Sequence, residues 1–168
     1  MQLHFADSNQ DVAEALNSAF SRFSDVQVHY GDLLTLAEYC IVSPANSSGF
    51  MDGGFDQALL GFFGPAIESR VRDAISRRPK GLLPVGASLL VRTGNHRVPF
   101  LIVAPTMIHP EQVEASNAYR AMRAVLRIAR ELNGPVFCPG LCTGVGNVSA
   151  PEAAKAMALA YAQSRETV

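Results

Sequence analysis

Apolar residues recur along the chain at two spacings, near two and near three and a half, the periods of strands and of helices. Leu3 to Ala6 reads as a short strand. Val12, Leu16, Ala19, Phe20 and Phe23 then recur at helical spacing behind a polar Ser8-Asn9 start. Val26 to Tyr30 and Tyr39 to Ser43 are rich in β-branched and aromatic residues and predict strands. Pro65 suits a first helical turn, and Ile67, Val71, Ala74 and Ile75 mark one apolar face behind it. Gly81 to Gly86 reads as a loop, and Ser88 to Val91 and Phe100 to Ala104 are apolar runs suited to buried strands.

The pattern is clearest in the C-terminal half. Ala118, Ala121, Val125, Ile128 and Leu132 line one face of a helix that should end before Asn133-Gly134. Pro135 to Cys138 predicts a short strand, followed by a Gly-rich loop. Ser149 and Glu152 then stand at capping-box spacing ahead of Ala154, Met157, Ala158 and Tyr161. Strands alternating with helices predict a layered α/β domain with a largely parallel sheet. Ligands of such sheets bind at loops leaving the carboxyl ends of the strands.

A length of 168 residues predicts one domain spanning 1–168 with a substantial core. Only 17% of residues are charged, so disorder is not expected. Lys+Arg 14 against Asp+Glu 15 gives a net charge of -1, which argues against direct nucleic-acid binding. No apolar run reaches the roughly 18 residues of a membrane span, and Met1 to Asp7 lacks the basic start of a signal peptide. The expectation is a soluble cytoplasmic protein. Cys138 and Cys142 have a zinc-like spacing, but Cys40 and the scattered histidines supply no second ligand pair, so neither a metal nor a cofactor is expected. Arg120, Arg123, Arg127 and Arg130 form a stripe that reads as a solvated helix face. His109-Pro110 reads as a loop pair bordering any cleft, and Phe62, Phe63, Tyr119 and Tyr161 as core aromatics.

Two loops carry candidate chemistry. Ser43-Pro-Ala-Asn-Ser-Ser-Gly-Phe-Met-Asp-Gly-Gly-Phe-Asp56 follows an apolar strand and leads toward a helix start at Gln57 to Leu60. Gly53 and Gly54 permit close backbone approach, the following helix N-terminus favours an anion, and Asn46 offers donors and acceptors for sugar hydroxyls. An ordinary Asn/Gly turn explains the same residues equally well. Pro139-Gly-Leu-Cys-Thr-Gly-Val-Gly-Asn-Val-Ser149 also joins a strand to a helix, and its glycines can present consecutive amides to a phosphate. It has no P-loop lysine and lacks the third glycine of a dinucleotide fingerprint.

Gly31-Asp32-Leu33, Ile41-Val-Ser-Pro-Ala-Asn46, Asp52-Gly-Gly-Phe-Asp56 and Gly140-Leu-Cys-Thr-Gly-Val-Gly146 stand in the order of the motifs of the macrodomain, or ADP-ribose-binding, family. The chain resembles that family over nearly its whole length. The resemblance implies a three-layer α/β/α sandwich with a mixed, largely parallel central sheet and a cleft for ADP-ribose or an ADP-ribosylated macromolecule. It implies that Asp32, with Leu33, meets adenine and that Asn46 meets the distal ribose. Gly53, Gly54 and Phe55 would form one diphosphate loop, and Gly140, Cys142, Thr143, Gly144, Val145 and Gly146 the other. Asp56 would engage water in a hydrolytic member, with Asn46 orienting the sugar. Three departures bear on that chemistry. Ser43 stands where hydrolytic members carry Asn, Cys142 replaces a usual glycine, and Gly146 falls where an aromatic is common, a place that Phe50 or Phe55 can fill. ADP-ribose binding with hydrolysis of ADP-ribosyl linkages, a non-catalytic recognition module, and another nucleotide-binding α/β domain are the readings carried forward.

Overall fold

The computed structural model describes residues 1–166. Six strands form one sheet: β1 (Gln2–Asp7), β2 (Val26–Tyr30), β3 (Cys40–Ser43), β4 (Leu89–Arg92), β5 (Phe100–Val103) and β6 (Pro135–Cys138). Their order is β2-β1-β6-β3-β5-β4, so β6, last in sequence, lies between β1 and β3. All neighbours run parallel except β4, which is antiparallel to β5. The expectation of a mixed, largely parallel sheet therefore holds.

Strand residues alternate between two cores, as a pleat with both faces covered requires. Leu3, Phe5, Cys40, Val42, Ile102, Val136 and Cys138 point to one face. There they meet α1 (Gln10–Phe20), α5 (Ala115–Ala129) and α6 (Ala150–Glu166). Ala6, Ile41, Leu101, Val103 and Phe137 point to the other. That side is covered by α2 (Leu33–Leu36), α3 (Gly54–Phe63) and α4 (Ala66–Ser76). The result is the three-layer sandwich. No helix among the described residues is long and apolar enough to cross a membrane.

Several boundaries differ from the spacing. The four-residue helix α2 was hidden in the run after Asp32, because one turn gives no periodicity to read. α1 ends at Phe20, before Phe23, and α5 ends at Ala129, three residues short of Leu132. Beyond α5 the chain tightens, Glu131 N–H bonding Ile128 O and Leu132 N–H bonding Ala129 O, so apolar residues stay inward without an α-helical turn. Ser149 Oγ bonds the Glu152 carboxylate at 3.0 Å, joining the two capping-box residues side chain to side chain. Tyr161 is a core aromatic, and its hydroxyl donates to Asp25 at 2.6 Å. Phe62, Phe63 and Tyr119 are only half-buried.

The arginine stripe is not simply solvated. Arg120 and Arg127 donate to the carbonyls of Val85 and Gly86, and Arg130 donates to Ser164 O. These bonds fasten α5 to the loop before β4 and to α6. Gly134, just before β6, is held by a close approach: a Cβ there would lie 2.3 Å from the Tyr39 ring. Tyr39 itself has φ 66 and packs edge-on against Phe100, so neither partner can shift freely. Gly134→Ala should cost about 1–3 kcal/mol through overpacking, read as a lower urea midpoint at unchanged slope.

Candidate functional site

Because β1, β2, β3, β5 and β6 are parallel, their carboxyl ends share one edge of the sheet. The loops leaving that edge enclose a cleft of about 430 Å³, within the usual range for small-molecule sites. Every residue named above as ligand-contacting or catalytic lines it. Strand order also ranks them in space. Asp32 and Leu33 follow β2 at one end, residues 140–146 follow the central β6, and Asn46 follows β3 toward the β5 end.

In the middle of the cleft the two Gly-rich loops face each other. A Cβ built on Gly54 would lie 3.9 Å from Val145 Cγ2. On one side, α3 opens at Gly53 with no side-chain cap, and its first backbone bond is Gln57 N–H to Gly53 O. On the other, Asn147 N–H bonds Gly144 O and Val148 N–H bonds Cys142 O. The N–H groups of Thr143, Gly144, Val145 and Gly146 meet no acceptor among the described residues. Two sets of amides without a protein acceptor among the described residues, on loops that line one cleft, have the chemistry to bind an anion. Cys142 turns this loop with φ 66, which accounts for glycine being usual there. A non-glycine residue in that conformation costs about 1–2 kcal/mol.

Asp32 divides its carboxylate. Oδ1 accepts from Leu34 N–H at 2.9 Å, capping α2, while Oδ2 meets no donor among the described residues. At the other end the Asn46 carboxamide is largely engaged by its own loop. Its Nδ2 donates to Phe50 O at 2.9 Å, and its Oδ1 accepts from Ser48 N–H and Phe50 N–H. One Nδ2 hydrogen remains for a ligand. Phe50 lines the cleft at this end, 43% exposed, with the Arg72 guanidinium stacked 4.0 Å from its ring centroid.

Asp56 lies on the first turn of α3 and is only 5% exposed. Ser43 Oγ donates to its Oδ1 at 2.6 Å. Burial pushes the carboxyl up to about 6, the Ser43 bond opposes that rise, and the nearby Asp52 charge adds to it. Ser43, the departure from the family's asparagine, is thus the partner that holds Asp56 closer to its ionised form. Burial drives the Cys40 and Cys142 thiols up to about 12 and raises Cys138 as well. Cys142 lines the cleft but is no thiolate nucleophile at neutral pH.

Several lining residues are given no role by the motifs: Asp7 at the end of β1 with Ser8 and Asn9 after it, Pro44 after β3, and Thr106 and Met107 after β5. The rule that sites gather at carboxyl ends of strands points to each of these loops. Pro110 lines the cleft, whereas its neighbour His109 does not and instead approaches Glu111 at 3.4 Å.

A raised Asp56 means that the folded state binds more protons than the unfolded chain between pH 4 and 6. Stability therefore falls as pH rises through that window, by up to about 3 kcal/mol for a shift from near 4 to about 6. Asp56→Asn should remove this slope, measured by urea denaturation at pH 4.5 and 7.5. Ser43→Ala should raise the Asp56 pKa further, read directly by carboxyl NMR titration, and an unchanged or lowered value would contradict the assigned role of Ser43.

Comparison with known proteins agrees with this geometry. A family model described as the Macro domain matches residues 42–157. An uncharacterized protein of Aquifex aeolicus is 36% identical over 135 residues, covering 79% of this chain and 78% of its own. The macrodomain of Mycobacterium tuberculosis DarG superposes with a TM-score of 0.69 at 23% identity, over 80% of this chain and 88% of that one. Thermosipho africanus DarTG, solved in complex with ADP-ribose, matches with a TM-score of 0.68 at 16% identity, over 94% of this chain and 50% of that one. With its family motifs on the carboxyl edge of an α/β/α sandwich and the model match spanning more than half its length, this chain belongs to the Macro domain family.

Proposed function

We propose that this protein, acting as one domain over residues 1–168, binds ADP-ribose, free or attached to a macromolecule. The observation that carries this reading is the order of chemistry along the cleft. An open carboxylate oxygen at Asp32 comes first, then unpaired amides on 143–146 and on the start of α3, then Asn46 and Asp56. Adenine presents an amino donor, a diphosphate accepts from amides, and a terminal ribose offers hydroxyls, in the same order. The solved complex of a structural relative with ADP-ribose supports the assignment.

Calorimetry with ADP-ribose, AMP and ribose 5-phosphate tests it. ADP-ribose should bind most tightly, and no saturable binding at millimolar ADP-ribose overturns the reading. Asp32→Asn is the sharper probe, because Asn keeps an oxygen for the Leu34 N–H and replaces the open oxygen with a donor. Losing a charge-assisted bond worth about 1.5–3 kcal/mol should weaken ADP-ribose about 10- to 150-fold. Ribose 5-phosphate, which has no base, should be unaffected. Equal losses for both ligands would make Asp32 a structural cap only.

A second reading, hydrolysis of an ADP-ribosyl linkage, is favoured by Asp56. Its carboxyl lines the cleft, lies near the sugar end and has a pKa raised to about 6, which suits a general base at neutral pH. Asn46 would orient the distal ribose. Turnover of ester-linked ADP-ribosyl substrates should rise with pH through about 6 and then level. Asp56→Asn should abolish it while ADP-ribose affinity changes little. Equal slow release by wild type and variant would leave a recognition module without catalysis.

A further inference from the structure

Asp7 lies at the carboxyl end of β1 and belongs to none of the family motifs, yet it joins three loops of the cleft. Its Oδ1 accepts from Asn9 N–H at 2.9 Å, its Oδ2 accepts from Gly140 N–H at 3.1 Å, and its main-chain oxygen accepts from Gly31 N–H at 3.0 Å. Asn9 caps α1, Gly31 precedes Asp32, and Gly140 begins the loop that carries the unpaired amides. Gly140 is confined from the other side too. A Cβ there would meet Val12 Cγ1 at 2.5 Å, Thr143 Oγ1 at 3.1 Å and Asp7 Oδ2 at 3.2 Å. Thr143 Oγ1 in turn donates to Gly140 O at 3.4 Å. The path of residues 140–146 is therefore set where it leaves the sheet.

Charge alone would make a poor reason for an acid here. A carboxylate beside a diphosphate site repels the ligand. Its geometric value is that a carboxylate supplies two strong acceptors facing two backbone donors. Asparagine supplies one oxygen, and its amide nitrogen would oppose the second N–H. The geometry points to Asp7 as a positioning residue for the anion-binding loop, fixing the amides of Thr143 to Gly146 from the base end of the cleft. This rests on the ADP-ribose reading only for the identity of the ligand.

The two possible effects of Asp7 have opposite signs, and that decides the test. If its charge matters most, Asp7→Asn removes a repulsion and tightens phosphate-bearing ligands. If positioning matters most, the same substitution weakens ADP-ribose and ADP by about tenfold while adenosine changes less than about threefold. Calorimetry measures all three ligands, and unchanged or tighter ADP-ribose binding by the variant overturns the proposal. Amide hydrogen exchange in the unliganded protein reads the loop itself. Exchange at Asn147 and Val148, whose N–H groups close the loop on Gly144 O and Cys142 O, should rise about tenfold or more in Asp7→Asn, with the buried amides of α5 unchanged. Unchanged loop exchange also overturns the proposal. Failure of wild type to bind ADP-ribose would sink only the ligand assignment, with loop exchange still deciding the role of Asp7.

Discussion

Parallel pairing is the constraint from which the site follows. A parallel neighbour cannot be reached by a tight hairpin, so the chain must leave the carboxyl edge and return to the other end. Five strands leave that edge of the sheet, and with them the loops that lead to α1, α2, α3, α5 and α6. Helix starts and loop side chains therefore collect along one rim. The placement of β6 between β1 and β3 sets its loop between Asp32 on one side and Asn46 on the other. Antiparallel β4 sends no loop out from this edge, since its carboxyl end points the opposite way.

The cleft has an unusual balance of charge for a site read as holding a diphosphate. Asp7, Asp32, Asp52 and Asp56 all line it, and among the described residues no lysine, arginine or histidine does. Binding must then come from neutral dipoles held in place rather than from counter-charge. A diphosphate held in this way would be recognised by the shape and spacing of its oxygens, with little gained from charge alone. Such binding also places weight on the rigidity of the loops, because a dipole that rotates by a few tens of degrees loses most of its interaction. The buried Asp56 fits the same scheme, since burial favours its neutral form against the opposing pull of the Ser43 hydroxyl.

Much of this was legible in the sequence. Glycines and Asn after short apolar runs mark loops at strand ends, and the motif order named Asp32, Asn46, Gly53, Gly54, Gly140 and residues 142–146, all of which line one cleft. What was not legible depends on pairing between distant residues. The bond from Gly140 to Asp7 spans 133 positions, and the antiparallel direction of β4 is set by its partner rather than by its own residues. Asn46 illustrates a different limit. Its residue type suggested sugar recognition, but only coordinates show that Phe50 and Ser48 already occupy most of its hydrogen-bonding capacity. The arginines along α5 and at its end are largely exposed, as their spacing predicts, but the carbonyls that three of them meet belong to separate segments and are not legible in the stripe.

The central position of β6 also shapes how the chain must assemble. β1, α1 and β2 form a local unit early in the chain, with Leu3 opposite Val26 and Asp7 opposite Tyr30. The other edge of β1 stays unpaired until Gln2 meets Pro135 and Phe5 meets Cys138. During synthesis that edge is open while more than a hundred further residues are made, and an open strand edge is a template for pairing with another chain. Inserting a strand into an existing gap is a late, non-local event with a large loop-closure cost, so it should be the slow step. The same insertion that centres the 140–146 loop thus ties completion of the cleft to a long-range pairing rather than to local folding.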